Sequence, residues 1–503
     1  MILGRCLARN ARLSPAKTAI VAADGRHWTY AELNDRVNRL ANVLRAHGLG
    51  RGARVAILDR NSPEYLEVYF AAGTVGAWLV PVNFHLKAPD VAYRMQHCGA
   101  TALFVGREFL PLIRDLPGEV RERLGRRVWV FEDDYERLLA GASAEPGDDG
   151  VQPEDTLYVG YTSGTTDTPK GALVSHRAIV VGYLYKALDY GLTAADVSLC
   201  PGPFWHSAPR DFASLAVYLG GTCVVTRGFD AAEYEALVEK HRVTFSFLVP
   251  TMLQMLAALE TRRDVSSLRA VISGGSPLPS VVKERALERY GPILHEFYGA
   301  TETRIITSIT AEELARKKRS VGRPIRDVEI RILDDARNDV LVGQPGEVFV
   351  RGPGLFSGYL DDPERTRKSY HGDWFSLGDI GRLDAEGYLY LVDRKQDMII
   401  SGGENIYPND VEEVIAAFPG VKEVAVIGIP DATWGELVTA VVVPQPGATL
   451  DPQALVDFCA ARLPGYMKPR RVEFAAELPR NPVGKVLRRV LREPYWKGAE
   501  AHI

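Results

Sequence analysis

The sequence predicts an α/β protein whose mostly parallel sheets are covered by helices, followed by a smaller β-rich stretch and a compact α+β unit. Three observations carry this. Short β-branched apolar runs alternate with helical patterns over most of the chain. After about residue 320 the strands come closer together, with Gly and Pro between them. A second break falls at 393–397, beyond which a new set of helices and strands begins.

Taken in order, the apolar runs at 55–58, 102–105, 222–225, 245–249 and 270–272 read as buried strands. Between them lie segments such as 30–47, where Leu33, Val37, Leu40, Ala41 and Leu44 recur at helical spacing. The strands at 329–333 and 347–350 belong to the β-rich stretch. The C-terminal unit is expected to hold a helix at 408–417, strands at 424–429 and 438–443, and a helix at 451–462.

A chain of 503 residues is too long for one ordinary core. Apolar residues make up 46% and charged residues 25%, as in globular proteins that need neither disulfide nor metal to hold them. The net charge is −4, from 60 basic and 64 acidic residues, which leaves no electrostatic footprint for nucleic acid. The longest basic cluster, Arg316, Lys317, Lys318 and Arg319, reads as a solvated face. The five cysteines, Cys6, Cys98, Cys200, Cys223 and Cys459, include no Cys-x-x-Cys pair. They argue against a disulfide framework or zinc ribbon, and for a reducing, cytoplasmic setting. Residues 1–19 hold three Arg and one Lys with no long apolar run, unlike a secretion signal. No run of about 18 apolar residues exists, so no membrane span is expected.

The segment richest in chemistry is Tyr161-Thr162-Ser163-Gly164-Thr165-Thr166-Asp167-Thr168-Pro169-Lys170-Gly171, directly after an apolar strand at 157–159. Its hydroxyls and backbone N–H groups can wrap phosphate oxygens, its glycines allow close approach, and its lysine adds charge. On composition alone a flexible surface loop fits equally well. It is not a Walker loop, because Gly-x-x-x-x-Gly-Lys-Ser/Thr is absent. It resembles the loop Tyr-Thr-Ser-Gly-Thr-Thr-Gly-x-Pro-Lys-Gly of the adenylate-forming superfamily, which contains acyl-CoA synthetases, adenylation domains of peptide synthetases and beetle luciferases.

With the further motifs, the resemblance spans nearly the whole chain. It implies that Thr162, Ser163, Gly164, Thr165, Thr166 and Lys170 hold nucleotide phosphates. Ser273-Gly274-Gly275-Ser276-Pro277-Leu278 resembles the adenine-side loop, with Gly275, Ser276 and Pro277 as contacts. Tyr298-Gly299-Ala300-Thr301-Glu302 resembles Tyr-Gly-x-Thr-Glu. There Tyr298 and Gly299 would meet adenine, Thr301 the α-phosphate, and Glu302 a Mg²⁺ ion, a hard cation that prefers oxygen ligands. Asp373-Trp374-Phe375-Ser376-Leu377-Gly378-Asp379 resembles Trp-Phe-x-Thr-Gly-Asp, which makes Asp379 a ribose ligand and Arg394 the second. Pro479 to Lys485 resembles Pro-x-x-x-x-Gly-Lys, whose lysine binds the carboxylate and the charge developing on phosphate during adenylation. The segment 398–408 resembles the loop that faces the site in the second step, with Gly402, Gly403 and Glu404 beside the CoA channel. Phe204-Trp205-His206-Ser207 resembles a Phe-His segment at the acyl pocket. Trp205 would line it, and His206 would line or gate its carboxylate end.

The resemblance further implies an AMP-binding N-terminal domain at 1–394, with two doubly wound subdomains and a small β-rich one. A mobile α+β lid follows at 395–503, turning about a hinge at Gln396. The implied activity is an acyl-CoA ligase, with Lys485, Glu302, Thr301 and His206 in the catalytic centre. Its ligands would be a carboxylic acid or its adenylate, ATP or acyl-AMP, Mg²⁺ and coenzyme A. Other readings are an adenylating enzyme that loads a separate carrier protein, a luciferase-like oxidase and a non-catalytic acyl-AMP-binding protein. A homodimer is left open.

Three positions depart from the pattern: Asp167 replaces glycine, Leu377 replaces threonine, and Gln396 replaces the usual Asp or Lys. Asp167 puts a carboxylate where the β- and γ-phosphates belong. Two unit charges about 4 Å apart cost on the order of 4 kcal/mol at an effective dielectric of 20. Either this impairs adenylation, so that a separate adenylating ligase supplies the acyl-AMP, or the side chain turns outward to water. Arg210 and Arg304 lie near pocket motifs and would either hold a polar group of the substrate or sit at the surface.

Overall fold

A computed structural model of the chain describes residues 1–162, 169–260, 262–395, 397–480 and 486–497. It divides into two compact units. The first comprises Met1–Glu329 and Arg351–Asp373, the second Ile330–Val350 and Trp374–Ile503.

The first unit is α/β. In one sheet Arg54–Leu58, Trp78–Pro81, Ala102–Val105, Val128–Val130 and Thr156–Thr162 run parallel, and Lys170–Ser175 adds antiparallel to Thr156–Thr162. In the other, Thr18–Ala22, Thr222–Val225, Val197–Leu199, Phe245–Phe247, Ala270–Ser273 and Leu294–Ala300 form a parallel centre, with antiparallel strands at both edges. This is the doubly wound pattern the sequence implied. Strands covered on both faces must be apolar throughout, and Ala102–Val105 and Ala270–Ser273 are buried at every position.

The helix Tyr30–Ala46 begins where Thr29 and Glu32 form a reciprocal capping box, and it buries Leu33, Val37, Leu40, Ala41 and Leu44 as their spacing required. The strand at 245 is shorter than expected. It ends at Phe247 because Pro250 opens the helix Pro250–Ala257.

In the second unit Trp374–Leu383 and Leu389–Arg394 form an antiparallel hairpin. Beyond it a long antiparallel pair, Val421–Asp431 with Gly435–Pro444, takes Arg471–Phe474 alongside in parallel and carries the hairpin Ile399–Ser401 with Glu404–Ile406 at its edge. The helices Pro408–Ala416 and Pro452–Ala460 bury Val411, Ile415, Leu455 and Cys459 in one core with Val426, Val438 and Val442. The unit also contains 330–350 and 374–394, which the sequence grouped with the N-terminal domain. All five cysteines are buried and unpaired. Among the described residues no helix is long and apolar enough to cross a membrane.

Candidate functional site

The first unit places its candidate residues at strand ends. Ala270–Ser273 and Leu294–Ala300 are parallel neighbours, with Ser273 opposite Glu296, so the loops after them emerge side by side. That places Gly275, Ser276 and Pro277 next to Tyr298 and Gly299, at the edge where open α/β sheets bind ligands. Gly274 lies against Phe297, where a Cβ would come within 2.8 Å of the ring. Gly275 takes φ +87, which suits glycine. Tyr298 is half-buried.

After Gly299 the chain turns back at once, with Ala300 paired to Arg304. The Ala300 N–H donates to Thr303 Oγ1 at 3.0 Å, and Arg304 takes φ +60. A Cβ on Gly299 would stand 1.9 Å from the Arg304 carbonyl oxygen, so only glycine permits the turn. It carries Thr301 and Glu302 to the phosphate-loop hairpin, where Thr162 pairs with Lys170.

The contact there is direct. Thr162 Oγ1 donates to Glu302 Oε1 at 3.4 Å, and Tyr359 Oη donates to the same oxygen at 3.1 Å. Lys170 Nζ stands 5.2 Å above the Tyr359 ring. A Cβ on Gly160 would lie 2.5 Å from Thr301 Cγ2, so that glycine makes room for Thr301. Burial and the Glu302 charge hold the Tyr359 hydroxyl far above its ordinary pKa, which keeps it a donor. Tyr359 belongs to none of the sequence motifs; only the fold brings it to Glu302.

His206 caps the helix Ser207–Leu219, its Nδ1 accepting from the Ala208 N–H at 3.4 Å. Burial, then the charge of Arg210, pushes its pKa down to about 4, so the ring is neutral at physiological pH. Ser207 Oγ lies 3.3 Å from Thr301 Oγ1. Trp205 packs edge-on to His206, and its indole N–H is buried with no hydrogen-bond partner.

Arg210 and Arg304 are both buried, 0% and 7% exposed, which rules out the surface placement. They converge on Asp211, and Lys186 joins them. Asp211 and Lys186 were missed by the sequence reading, because a single Lys on a helix is ordinarily a surface residue.

The second unit pairs Asp379 with Arg394 across its hairpin, Arg394 Nε lying 3.3 Å from Asp379 Oδ1. Asp379 is 8% exposed and Gly378 beside it takes φ +78. Gly402 and Gly403 form a two-residue turn between Ser401 and Glu404 with φ of +61 and +83, the geometry that needs glycine in a tight hairpin. Gly402, Gly403 and Glu404 are exposed. Ser163, Gly164, Thr165, Thr166, Asp167, Gln396 and Lys485 lie outside the described residues.

The chain matches the family model described as AMP-binding enzyme over residues 7–360, and that of the AMP-binding enzyme C-terminal domain over 410–485. It is 38% identical over 497 residues to feruloyl-CoA synthase of Amycolatopsis sp, covering 98% of this chain and 99% of that protein. It is 36% identical over 508 residues to the long-chain-fatty-acid–CoA ligase FadD13 of Mycobacterium tuberculosis, covering 98% of each. In structure it is similar to ATP-bound MatB from Rhodopseudomonas palustris, with a TM-score of 0.91, 32% identity, and coverage of 98% of this chain and 99% of that one.

Proposed function

This chain belongs to the AMP-binding enzyme family and is an AMP-forming acid–thiol ligase, joining a carboxylic acid to coenzyme A through an acyl adenylate; from that premise we propose how its residues share the work. In the first half-reaction the acid's carboxylate attacks the α-phosphorus of ATP and pyrophosphate leaves. In the second, the CoA thiol attacks the acyl carbonyl and AMP leaves.

The observation that carries the assignment is the junction at Glu302, where Thr162 of the phosphate-loop hairpin and Tyr359 share one carboxylate oxygen. It fastens the Thr301-Glu302 turn to the loop that takes the phosphates. Thr162, Lys170 and Ser163 to Thr166 bind the phosphates, and Thr301 the α-phosphate. Tyr298, Gly299 and Gly275 to Pro277 enclose adenine, while Asp379 and Arg394 hold the ribose. The Glu302 carboxylate beside the Thr162 hydroxyl is an all-oxygen donor set, which fits Mg²⁺, an ion commonly held by one carboxylate plus substrate phosphates. Bound there, the ion would neutralise phosphate charge.

His206, neutral, lines the carboxylate end without taking a proton. Residues from 395 onward act as a lid about Gln396, presenting Lys485 for adenylation and Gly402, Gly403 and Glu404 to the thiol. Hinged lids of this kind separate the steps of a reaction.

A second reading is favoured by Asp167. In this reading repulsion between a carboxylate at position 167 and the triphosphate slows adenylation, and the chain mainly converts acyl-AMP supplied by a separate ligase. Acyl-AMP has no pyrophosphate and escapes that repulsion. Pyrophosphate exchange with substrate acids, and CoA thioester formation from synthetic acyl adenylates, distinguish the readings. Asp167→Gly restores exchange if repulsion is the cause. Ordinary exchange rates in the unaltered protein would eliminate it. Replacing CoA by a phosphopantetheinyl carrier protein tests the carrier-loading alternative. Absence of AMP release with any thiol would overturn the ligase assignment itself.

A further inference from the structure

The segment that carries Trp205 and His206 is held from the other sheet by one buried side chain. Residues 200–206 leave the strand Val197–Leu199 and run to the helix Ser207–Leu219. Pro201 and Pro203 have no backbone N–H to give, and among the described residues no strand pairs with this stretch. Its buried backbone groups therefore need partners from side chains.

Asn61 supplies them. Its Nδ2 donates to the Gly202 carbonyl at 2.9 Å, and its Oδ1 accepts from the Phe204 N–H at 2.7 Å. A donor to one carbonyl and an acceptor from the N–H two residues on is what one residue of a parallel strand offers its neighbour. The Asn61 amide thus stands in for a strand opposite Pro203. It is 1% exposed. An amide buried that deeply is costly unless both ends are bonded, and here both ends go to this one segment.

Both sides of the contact are stiff. Asn61 follows the strand Arg54–Leu58 and directly precedes Ser62, which caps the helix Pro63–Val75 by accepting from the Tyr65 N–H at 3.0 Å. Pro63 pre-sets the first turn of that helix. The same helix sets the Tyr65 ring edge-on to Phe204, with centroids 5.8 Å apart. Arg210 Nη1 donates to the Phe204 carbonyl at 3.3 Å, and the His206 N–H donates to the Pro203 carbonyl at 3.0 Å. A Cβ on Gly202 would lie 2.7 Å from Pro209 Cγ, so the stretch lies as close to the following helix as glycine allows. Phe204 is gripped at its N–H, carbonyl and ring, directly before Trp205 and His206.

We propose that Asn61 is a positioning residue for the acyl pocket: it acts without touching the substrate, fixing where Trp205 and His206 stand by holding the backbone of Gly202 and Phe204. The proposal rests on the reading that puts His206 at the carboxylate end of the acid. It adds to that site a residue of the neighbouring sheet that belongs to none of the sequence motifs.

The test uses the full chain and three non-reactive probes, butanoyl-, octanoyl- and benzoyl-sulfamoyl adenosine. Each is compared by calorimetry with sulfamoyl adenosine lacking the acyl group. The ratio of the two affinities reads the acyl pocket and is indifferent to how much of a variant is folded. Asn61→Leu keeps volume and deletes both bonds. It should cut the largest of the three ratios about 10- to 100-fold and leave affinity for the unacylated nucleoside unchanged. Asn61→Asp keeps the acceptor for Phe204 and should fall between; it carries the test alone should Asn61→Leu not fold. In a Trp205→Ala/His206→Ala background either Asn61 variant should change the ratio little, because the groups it places are gone. A ratio unchanged by substitution at Asn61, equal losses for acylated and unacylated probes, or a full loss that persists in that background each overturns the proposal. An unaltered protein that binds no acylated probe more tightly than the unacylated one overturns it too, and removes the acyl pocket from Trp205 and His206. Thioester formation from the matching acyl adenylates and CoA is measured in parallel. Ratios as expected, with no thioester from any adenylate, would sink the ligase reading and leave Asn61 in its role.

Discussion

Replacing Arg488 with Ala should destabilise the C-terminal unit strongly at neutral pH and much less in mild acid. The guanidinium lies 2.8 Å from Glu412, 3.5 Å from Asp397 and 3.6 Å from Asp393, and Nη2 donates to Asn409 Oδ1 at 2.7 Å. Asp393 precedes position 396 and the other partners follow it, so one side chain ties the two flanks of the expected hinge together. Asp393 is 6% exposed, and burial raises its pKa to about 6 even with Arg488 beside it. Breaking a buried pair by removing one partner costs about 3–5 kcal/mol. The 15% exposure of Arg488 puts this case at about 3 kcal/mol, or about 6–12 °C in the transition of this unit.

The sign with pH follows from Asp393. Its folded pKa lies above its unfolded value, so its own contribution favours folding most below about pH 4 and is lost as pH rises through about 6. Above that it is a buried carboxylate that needs Arg488. Without Arg488 its pKa rises further, and at about pH 5 it is neutral in both proteins. Differential scanning calorimetry at about pH 7.5 and about pH 5 reads the difference. A deficit of equal size at both pH values, or none at the higher, would refute the account of Arg488 as counter-charge to Asp393.

Tyr359→Phe keeps the ring beneath Lys170 and deletes only the hydrogen bond to Glu302; adenylation should slow about 10- to 100-fold while thioester formation from synthetic acyl-AMP changes little. Equal losses in both half-reactions would mean that Tyr359 acts through folding instead. Asp379→Ala should weaken AMP binding by about 1.5–3 kcal/mol, and unchanged affinity by calorimetry would remove Asp379 from the ribose site.

The layout of the fold was legible because it is written locally. Buried parallel strands must be apolar along their whole length, so runs such as 102–105 and 270–272 announced themselves. What was not legible broke a local rule. Arg471–Phe474 is four residues with no buried position, and the helix Arg488–Trp496 contains Pro494, which sequence patterns treat as a breaker. Its polar face is explained by Arg488 reaching inward to acidic residues far earlier in the chain, a pairing that no periodicity shows.

The same division runs through the site and decides what kind of evidence each half needs. The nucleotide side is built from short loops whose residues answer one another at close range. Gly160 is bare because Thr301 fills the space its Cβ would take, and Gly299 is bare because the Arg304 carbonyl lies against it. Steric demands that tight fix residue types within a few positions, so they leave motifs. The acyl side makes no such demand. Arg304 meets Asp211 across 93 positions of sequence, through side chains long enough to reach from many starting points. Arg210 looks like any other arginine until folding buries it beside Asp211 and over the rings of Tyr158 and Tyr69. A motif can therefore assign the reaction, whereas buried charges such as Arg210, Arg304, Lys186 and Asp211 come together only once the chain has folded.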